Sequence, residues 1–346
     1  MIIDVTGFGW SGSGAVIDIL KEYEGLEFPD IIGWEFNLIH CVDGLYDLDS
    51  KLNNKHCRFF DSNVAIKRFL HLAKEYENQD CYRYNKIFKG EFYHWCEEYV
   101  NSITDIKFRA KSAFDRIYFP PNVFIKWIGE KIFGYGKLKW FGRRLVNISI
   151  NRNKYFAYNV EDFYGKTQRF TSKIISAMRK DPFKPLVTDH MFSPDCPQLF
   201  FKYLEEDVKC IVVRRDPRDT YLLAKHVYNG RIPLPTDNVE DFITFYRKSM
   251  EETQVADSLE ILNIQFEDLI FKYEETIKKI ETFIGMPKHV KKRQYFKPSV
   301  SVNNTRLYKK YTMFSEDIKK IELALPRSLY PFESCKDVIS VTDSVF

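Results

Sequence analysis

The chain has 346 residues, of which 45% are hydrophobic and 29% charged, with 14 Pro and 15 Gly. That length allows one large α/β domain or two modest ones, and the composition excludes collagen-like, mucin-like and wholly disordered chains. A formal net charge of +4 is too small to imply a nucleic-acid partner unless the basic residues cluster, and none is expected. The seven cysteines (41, 57, 81, 96, 196, 210 and 335) are scattered, with no CxxC pair. Such usage fits a reducing compartment and argues against a disulfide framework or a structural zinc site. Met1 to Val16 has no basic segment ahead of an apolar stretch, and no apolar run approaches the ~20 residues that span a bilayer. A cytoplasmic protein is expected.

Ile2 to Thr6 is short and rich in β-branched residues, which predicts a strand. A glycine-rich turn follows, and then Ala15, Val16, Ile19, Leu20 and Tyr23 recur at helical spacing. Residues 55–180 lack strand–helix alternation and read as a mostly helical insertion or lid inside a single domain spanning 1–346. Within that stretch, residues 105–154 carry twelve Lys or Arg against three Asp or Glu. Phe119, Phe124, Trp127, Phe133, Tyr135, Trp140 and Phe141 are interleaved with them. The segment reads either as a solvated basic face over a local aromatic core or as a surface for an anionic glycan or an anionic membrane. The second alternative would place the protein at the inner membrane face.

Downstream, Pro185–His190 and Val208–Val213 read as strands, and a helix is predicted over 217–228. Another helix is expected over 239–256, then a strand over 259–264, then a helix over 269–284 closed by Gly285 before Met286-Pro287. Alternating strands and helices predict an α/β fold with a parallel central sheet flanked by helices.

Gly7-Phe8-Gly9-Trp10-Ser11-Gly12-Ser13-Gly14 lies between a predicted strand and helix, where backbone N–H groups and a helix N-terminus can hold a phosphate. A Walker A loop would carry a lysine after its last glycine. Here Ala15 follows Gly14 and the loop has no lysine, which disfavours a nucleoside-triphosphate hydrolase or a P-loop kinase. Further on, a buried strand ends in Arg214-Arg215, and Asp216-Pro217 opens a helix. Arginines at that edge of a parallel sheet can grip a phosphate bidentately or pair with neighbouring aspartates to hold a loop.

Arg215-Asp216-Pro217-Arg218-Asp219 resembles the R-[ND]-P-[KR]-D segment of sulfotransferases that use 3′-phosphoadenosine 5′-phosphosulfate (PAPS). Trp10 to Gly14 is similar to that family's [KR]-S-G-T-[ST] loop. Phe266-Glu267-Asp268-Leu269 with Phe283 to Pro287 resembles its Y-E-D-L … F-L-G-x-P segment. Thr188-Asp189-His190-Met191-Phe192 stands where the cytosolic branch has K-T-H-L-P, with Pro197–Phe200 expected to start the helix that follows. The resemblance covers about half the chain. It implies a P-loop-NTPase-like sulfotransferase fold and PAPS as co-substrate without a metal. It also implies a hydroxyl acceptor, for which a carbohydrate of a surface polysaccharide or its precursor is expected, although a small phenol or alcohol fits the sequence equally.

By the same resemblance His190 is the general base, and residues 9–14 (Gly9, Trp10, Ser11, Gly12, Ser13, Gly14) hold the 5′-phosphate end. Arg215, with Arg306, Lys309 or Lys310, holds the 3′-phosphate, and Phe266 lies against the adenine. The sequence departs from the family at two places. Trp10 replaces the loop cation, for which Arg214 and Lys225 are the nearest substitutes. Leu223 replaces a phosphate-binding serine, for which Thr220 or Lys225 could compensate. A nucleotide- or glycan-binding protein that kept the fold without the chemistry and a P-loop kinase-like phosphotransferase are the alternative readings.

Overall fold

A computed structural model describes residues 1–30, 35–53, 59–79, 82–111, 151–228, 234–285, 289–335, 338 and 340. The chain divides into two compact units, Met1–His40 with Thr171–Phe346, and Cys41–Phe170. The described strands are β1 (Ile2–Gly7), β2 (Ile106–Lys111), β3 (Asn151–Phe156), β4 (Leu186–Asp189), β5 (Val208–Arg214) and β6 (Ile261–Gln265). The helices that matter below are α1 (Ser13–Leu20), α2 (Leu45–Leu52), α3 (Phe59–Asn78), α4 (Phe92–Ser102), α5 (Phe163–Met178), α6 (Pro217–Leu222), α7 (Val239–Tyr246), α8 (Tyr273–Ile284) and α9 (Ser315–Ala324).

In the first unit β4, β1, β5 and β6 form, in that order, a four-stranded parallel sheet. All six residues of β1 are buried, as an interior parallel strand covered on both faces requires. Val5 pairs with Asp189 and Gly7 with Val213. The chain therefore leaves β1, β4 and β5 along one edge of the sheet, and the loops that follow these strands gather there. On one face Ile3, Val5 and Val213 pack with Val16, Ile19 and Leu20 of α1 and Ile277, Ile280 and Ile284 of α8. A second apolar cluster joins Tyr221, Leu222 and Leu223 to Phe242 and Tyr246 of α7 and Ile318 and Ile321 of α9. The fold is thus α/β with a parallel sheet flanked by helices, as the alternation predicted.

Four of the predicted helices differ from the observed elements. The helix expected over 217–228 is α6 followed by a π-helical turn at Leu223–Val227, and α7 likewise passes into a π-helical turn at Arg247–Glu251, ending short of 256. The helix expected over 269–284 is broken at Lys272, whose φ of −130° and ψ of 39° separate Asp268–Phe271 from α8. Gly285 closes α8 at φ 71°, a left-handed conformation glycine adopts without steric cost. The helix expected from Pro197 is instead two 3-10 turns, Pro197–Leu199 and Phe201–Tyr203. The Tyr203 carbonyl that ends them is engaged by the Thr171 hydroxyl (2.6 Å). Met286 and Pro287 lie outside the described residues.

The second unit runs from 41 to 170, whereas the sequence placed an insertion at 55–180, and it adds an antiparallel pair, β2 with β3, to the expected helices. Its centre is aromatic: Tyr99 of α4 stacks on Phe170 at 4.5 Å, and Phe69 of α3 meets both edge-on. Phe119 to Phe141 and most of the basic segment 105–154 lie outside the described residues, as do Cys57 and Cys81. Among the described residues no helix is long and apolar enough to cross a membrane.

Glu22, just beyond α1, is fully buried. Its carboxylate accepts from the backbone N–H groups of Arg293 (3.0 Å), Tyr295 (2.9 Å) and Phe296 (3.0 Å) and from His289 Nε2. It thereby holds the segment after α8 against α1. Removing one partner of a buried, fully bonded ionic group typically costs about 3–5 kcal/mol because the remaining groups stay buried and unpaired. Glu22→Ala is expected to destabilise the protein by that amount in urea titration, and a loss under about 1 kcal/mol would contradict the assigned role.

Candidate functional site

The glycine-rich loop bridges β1 and α1 at the carboxyl edge of the sheet. Two residues in it take left-handed backbone, Trp10 (φ 63°) and Gly12 (φ 90°). The bonds Ser11 N–H to Phe8 O (2.9 Å) and Ala15 N–H to Gly12 O (3.0 Å) shape the turn. The N–H groups of Gly9, Trp10, Gly12, Ser13 and Gly14 make no backbone hydrogen bond among the described residues. Together with the α1 N-terminus they form a concentration of donors and partial positive charge suited to an anion. The Ser11 hydroxyl is buried without a partner. Trp10 stacks on Tyr228 with ring centroids 3.6 Å apart.

Arg215 meets this loop from the adjacent strand. Its guanidinium donates to Trp10 O (3.3 Å) and to Asn304 O, and lies 4.5 Å over the Phe266 ring. Phe266 packs on Gly12, where a Cβ would be driven into the ring. The sites predicted at opposite ends of the chain, Gly12 and Arg215, therefore lie on one aromatic side chain. A water-sized cavity of about 10 Å³ opens between Gly9, Ser11, Arg214, Arg215, Thr220 and Tyr246, among others. Arg215 Nε and Arg214 Nη2 are buried without partners. Unpaired buried donors of this kind mark a place where an acceptor is missing.

Carboxylates surround Arg215. Asp216, Asp219 and Glu267 are fully buried. Asp216 pairs with Arg218 (2.7 Å), and Glu267 accepts from the Asp216 N–H (2.9 Å). Asp219 accepts from the N–H groups of Arg306 (2.9 Å) and Leu307 (2.8 Å). Burial, reinforced by Asp216, pushes Glu267 up to about 8 against the pull of Arg215, and burial raises Asp219 in the same way. Protonation of these groups at neutral pH leaves more of the Arg215 charge uncompensated.

His190 follows β4 on the other flank of β1, at φ 53°. Its Nδ1 lies 2.6 Å from Asp189 Oδ1 and its Nε2 lies 3.0 Å from the carbonyl oxygen of Gly7, at the root of the loop. Burial opposes its protonation, but the hydrogen bond and charge of Asp189, with Glu35 and Asp4, push it up to about 9. Asp4, inside β1, accepts from the Thr188 hydroxyl (2.8 Å) and the N–H groups of Met191 (3.0 Å) and Phe192 (3.2 Å). Burial raises it to about 7.

Other predicted residues are placed differently. Thr220 lines the cavity but its hydroxyl donates to Asp216 O (3.1 Å), and Leu223 is buried in the apolar cluster. Lys225 turns to Tyr221 and Asp317 (3.2 Å), away from any role as loop cation. Arg306 donates to Phe332 O (3.1 Å) and lies over Phe271 and Phe332, so its backbone reaches the site while its guanidinium does not. Lys309 is exposed, and Lys310 reaches the Asn303 carbonyl (3.4 Å). Ser13 is half-buried and Gly14 exposed at the start of α1. No group of three His, Cys, Asp or Glu side chains among the described residues is placed to hold a metal. Sequence reasoning missed Asp4, Glu35, Glu267 and Asn304. Asp4 carried a signal, being a lone carboxylate within an apolar strand; Asn304 works through its carbonyl, which no side-chain pattern reveals. No family model matches the chain, and no curated protein matches it.

The raised acids have a consequence for stability. Folded Asp4 and Glu267 retain protons at pH values where the unfolded chain, titrating near 3.8 and 4.5, has lost them. Stability linked to them is complete below those values and is lost as pH rises through about 7 and 8. His190, raised from 6.5 to about 9, adds a loss of the same sign between those values. Thermal melts should therefore fall between pH 6 and 9.5, and Asp4→Asn should remove the part of the slope that ends near 7.

Proposed function

We propose that this chain is a PAPS-dependent sulfotransferase of P-loop-NTPase-like fold, moving a sulfuryl group to a hydroxyl acceptor, with a carbohydrate as the acceptor class. The observation that carries the reading is the convergence on Phe266. Gly12 of the loop packs on this ring and Arg215 lies 4.5 Å over it, so one nucleotide with phosphoryl groups on two ribose positions could reach both anion sites. The donor set suits such a ligand: loop N–H groups that make no backbone hydrogen bond among the described residues, an unpartnered Ser11 hydroxyl and unpartnered arginine nitrogens.

In the reaction the acceptor oxygen attacks sulfur in line as the bond from sulfur to the bridging phosphate oxygen breaks. The hydroxyl proton passes to the neutral imidazole of His190, the base that the resemblance assigns, and a sulfate ester and 3′-phosphoadenosine 5′-phosphate (PAP) are formed. The loop N–H groups and the α1 N-terminus would stabilise the charge gathering on the leaving phosphate. Binding requires Arg215 to exchange a protein carbonyl for a phosphate oxygen, and its bond to Trp10 O (3.3 Å) is long enough to yield readily.

Thermal-shift and calorimetric titration with PAP and with ATP and Mg²⁺ tests the reading. Selective stabilisation by PAP is expected, and radiolabelled sulfate should pass from PAPS to glycan hydroxyls. Arg215→Lys, which keeps a charge but not the bidentate fork, should weaken PAP binding on the order of 10-fold. Equal affinity in the variant would remove Arg215 from the site. Preference for ATP and Mg²⁺ would favour a phosphotransferase, and PAP binding without sulfate transfer a non-catalytic binding protein.

A further inference from the structure

Arg214 and Arg215 follow one another at the end of β5 and border one small cavity, with Gly9 and Ser11 of the glycine-rich loop, Thr220 of α6 and Tyr246 of α7. A buried charge is costly unless something of opposite sign meets it. Arg214 donates to Met250 O and, at 3.5 Å, to Asn263 Oδ1, and it lies 6.0 Å over the Phe8 ring. Arg215 is met by two carbonyls and the Phe266 ring. All of these partners are neutral. Asp216, the nearest acid in the chain, is bonded to Arg218, and burial favours protons on Asp219 and Glu267. Two cations thus share one space without a bonded counter-charge among the described residues.

Three atoms of the lining residues are buried and unpartnered: Arg214 Nη2, Arg215 Nε and the Ser11 hydroxyl. Arg215 is 6% exposed and Ser11 4%, so bulk water does not satisfy them. The arginine nitrogens can only donate, and the serine hydroxyl can donate as well. Thr220 and Tyr246, the other hydroxyls at the cavity, donate to Asp216 O (3.1 Å) and Arg215 O (2.9 Å). The volume of about 10 Å³ suits a single atom of about water size and is too small for phosphate, sulfate or a carboxylate. A water molecule there would accept two of the bonds, but it would leave both charges unmet and its own hydrogens in need of acceptors.

We propose that this cavity is a binding site for a monatomic anion, chloride in ordinary solution, held by Arg214, Arg215 and the Ser11 hydroxyl as an internal counter-ion behind the glycine-rich loop. The ion is independent of the proposed nucleotide, whose phosphate would displace the Trp10 carbonyl from Arg215 Nη1 while the ion takes Nε of the same side chain. By joining Ser11 to the end of β5, it stabilises a loop in which Trp10 and Gly12 both take left-handed backbone.

Thermal melts at fixed pH and ionic strength, with chloride exchanged stepwise for gluconate, which is too large to enter, test the site in solution. The melting temperature should rise with chloride along a saturable curve, because a ligand of the folded state stabilises by mass action. Ser11→Ala removes one donor and should weaken the apparent chloride affinity on the order of 10-fold. Arg214→Gln removes one of the two charges and should abolish the response; if that variant fails to fold, Ser11→Ala decides alone. A wild-type melting temperature indifferent to the exchange overturns the proposal. A response undiminished in Ser11→Ala and in any folded Arg214→Gln overturns it as well, since chloride then acts elsewhere. Crystals grown in bromide locate the ion: an anomalous bromine peak among Arg214, Arg215 and Ser11 is expected, and a water molecule in its place overturns the proposal.

Discussion

The guanidinium of Arg215 ties together three stretches of chain that are far apart in sequence: the loop at Trp10, the ring of Phe266 after β6, and the carbonyl of Asn304. The site depends on that one group because its charge is buried and must be met on every side. Two protein carbonyls and an aromatic face meet it with dipoles and a quadrupole rather than with a paired carboxylate. Carboxyl groups stand close by in Asp216, Asp219 and Glu267, but Asp216 is bonded to Arg218, and burial favours protons on the other two. The result is a cation with more neighbours than counter-charge.

Topology explains why the loop lies within reach of both flanks. In the order β4, β1, β5, β6 the strand that feeds the loop is central, with His190 after one neighbour and Arg214-Arg215 at the end of the other. Parallel pairing brings the carboxyl ends of these strands to one edge, and the in-register pairs Val5 with Asp189 and Gly7 with Val213 fix how far each chain projects. The guanidinium groups of Arg214 and Arg215 border the cavity beside the loop, while the His190 imidazole abuts the loop's root at the Gly7 carbonyl. Asp4 lies beneath this arrangement, bonded to Thr188 and to the backbone of Met191 and Phe192, and so holds the turn from which His190 projects.

Much of the frame was legible from pattern. The β-branched runs at 2–6 and 208–213, the glycines at 7–14 and Pro217 after Asp216 mark their own local structure, because φ restrictions and strand periodicity are short-range effects. The π-helical turns after α6 and α7 were not legible, nor was the replacement of a helix at 197 by 3-10 turns, since these depend on what each segment packs against. Among the residues singled out from the sequence, Gly12, Arg215 and Phe266 lie together. Lys225 and Arg306 do not, because Asp317 and the Phe332 carbonyl compete for their long side chains.

By itself, then, the sequence determined the alternation of strand and helix, the position of the glycine-rich turn and the presence of arginines at a strand end, all of which follow from residues close together in the chain. Only the tertiary structure decided which cations face the loop and which are spent elsewhere. It alone gave His190 two acceptors instead of one, and it alone buried Glu267 deeply enough to favour its proton. The reason is physical: hydrogen-bond partnership and desolvation depend on atoms a few ångströms away in space, and at this site many of those atoms are far along the chain, as far as 183 and 205 residues.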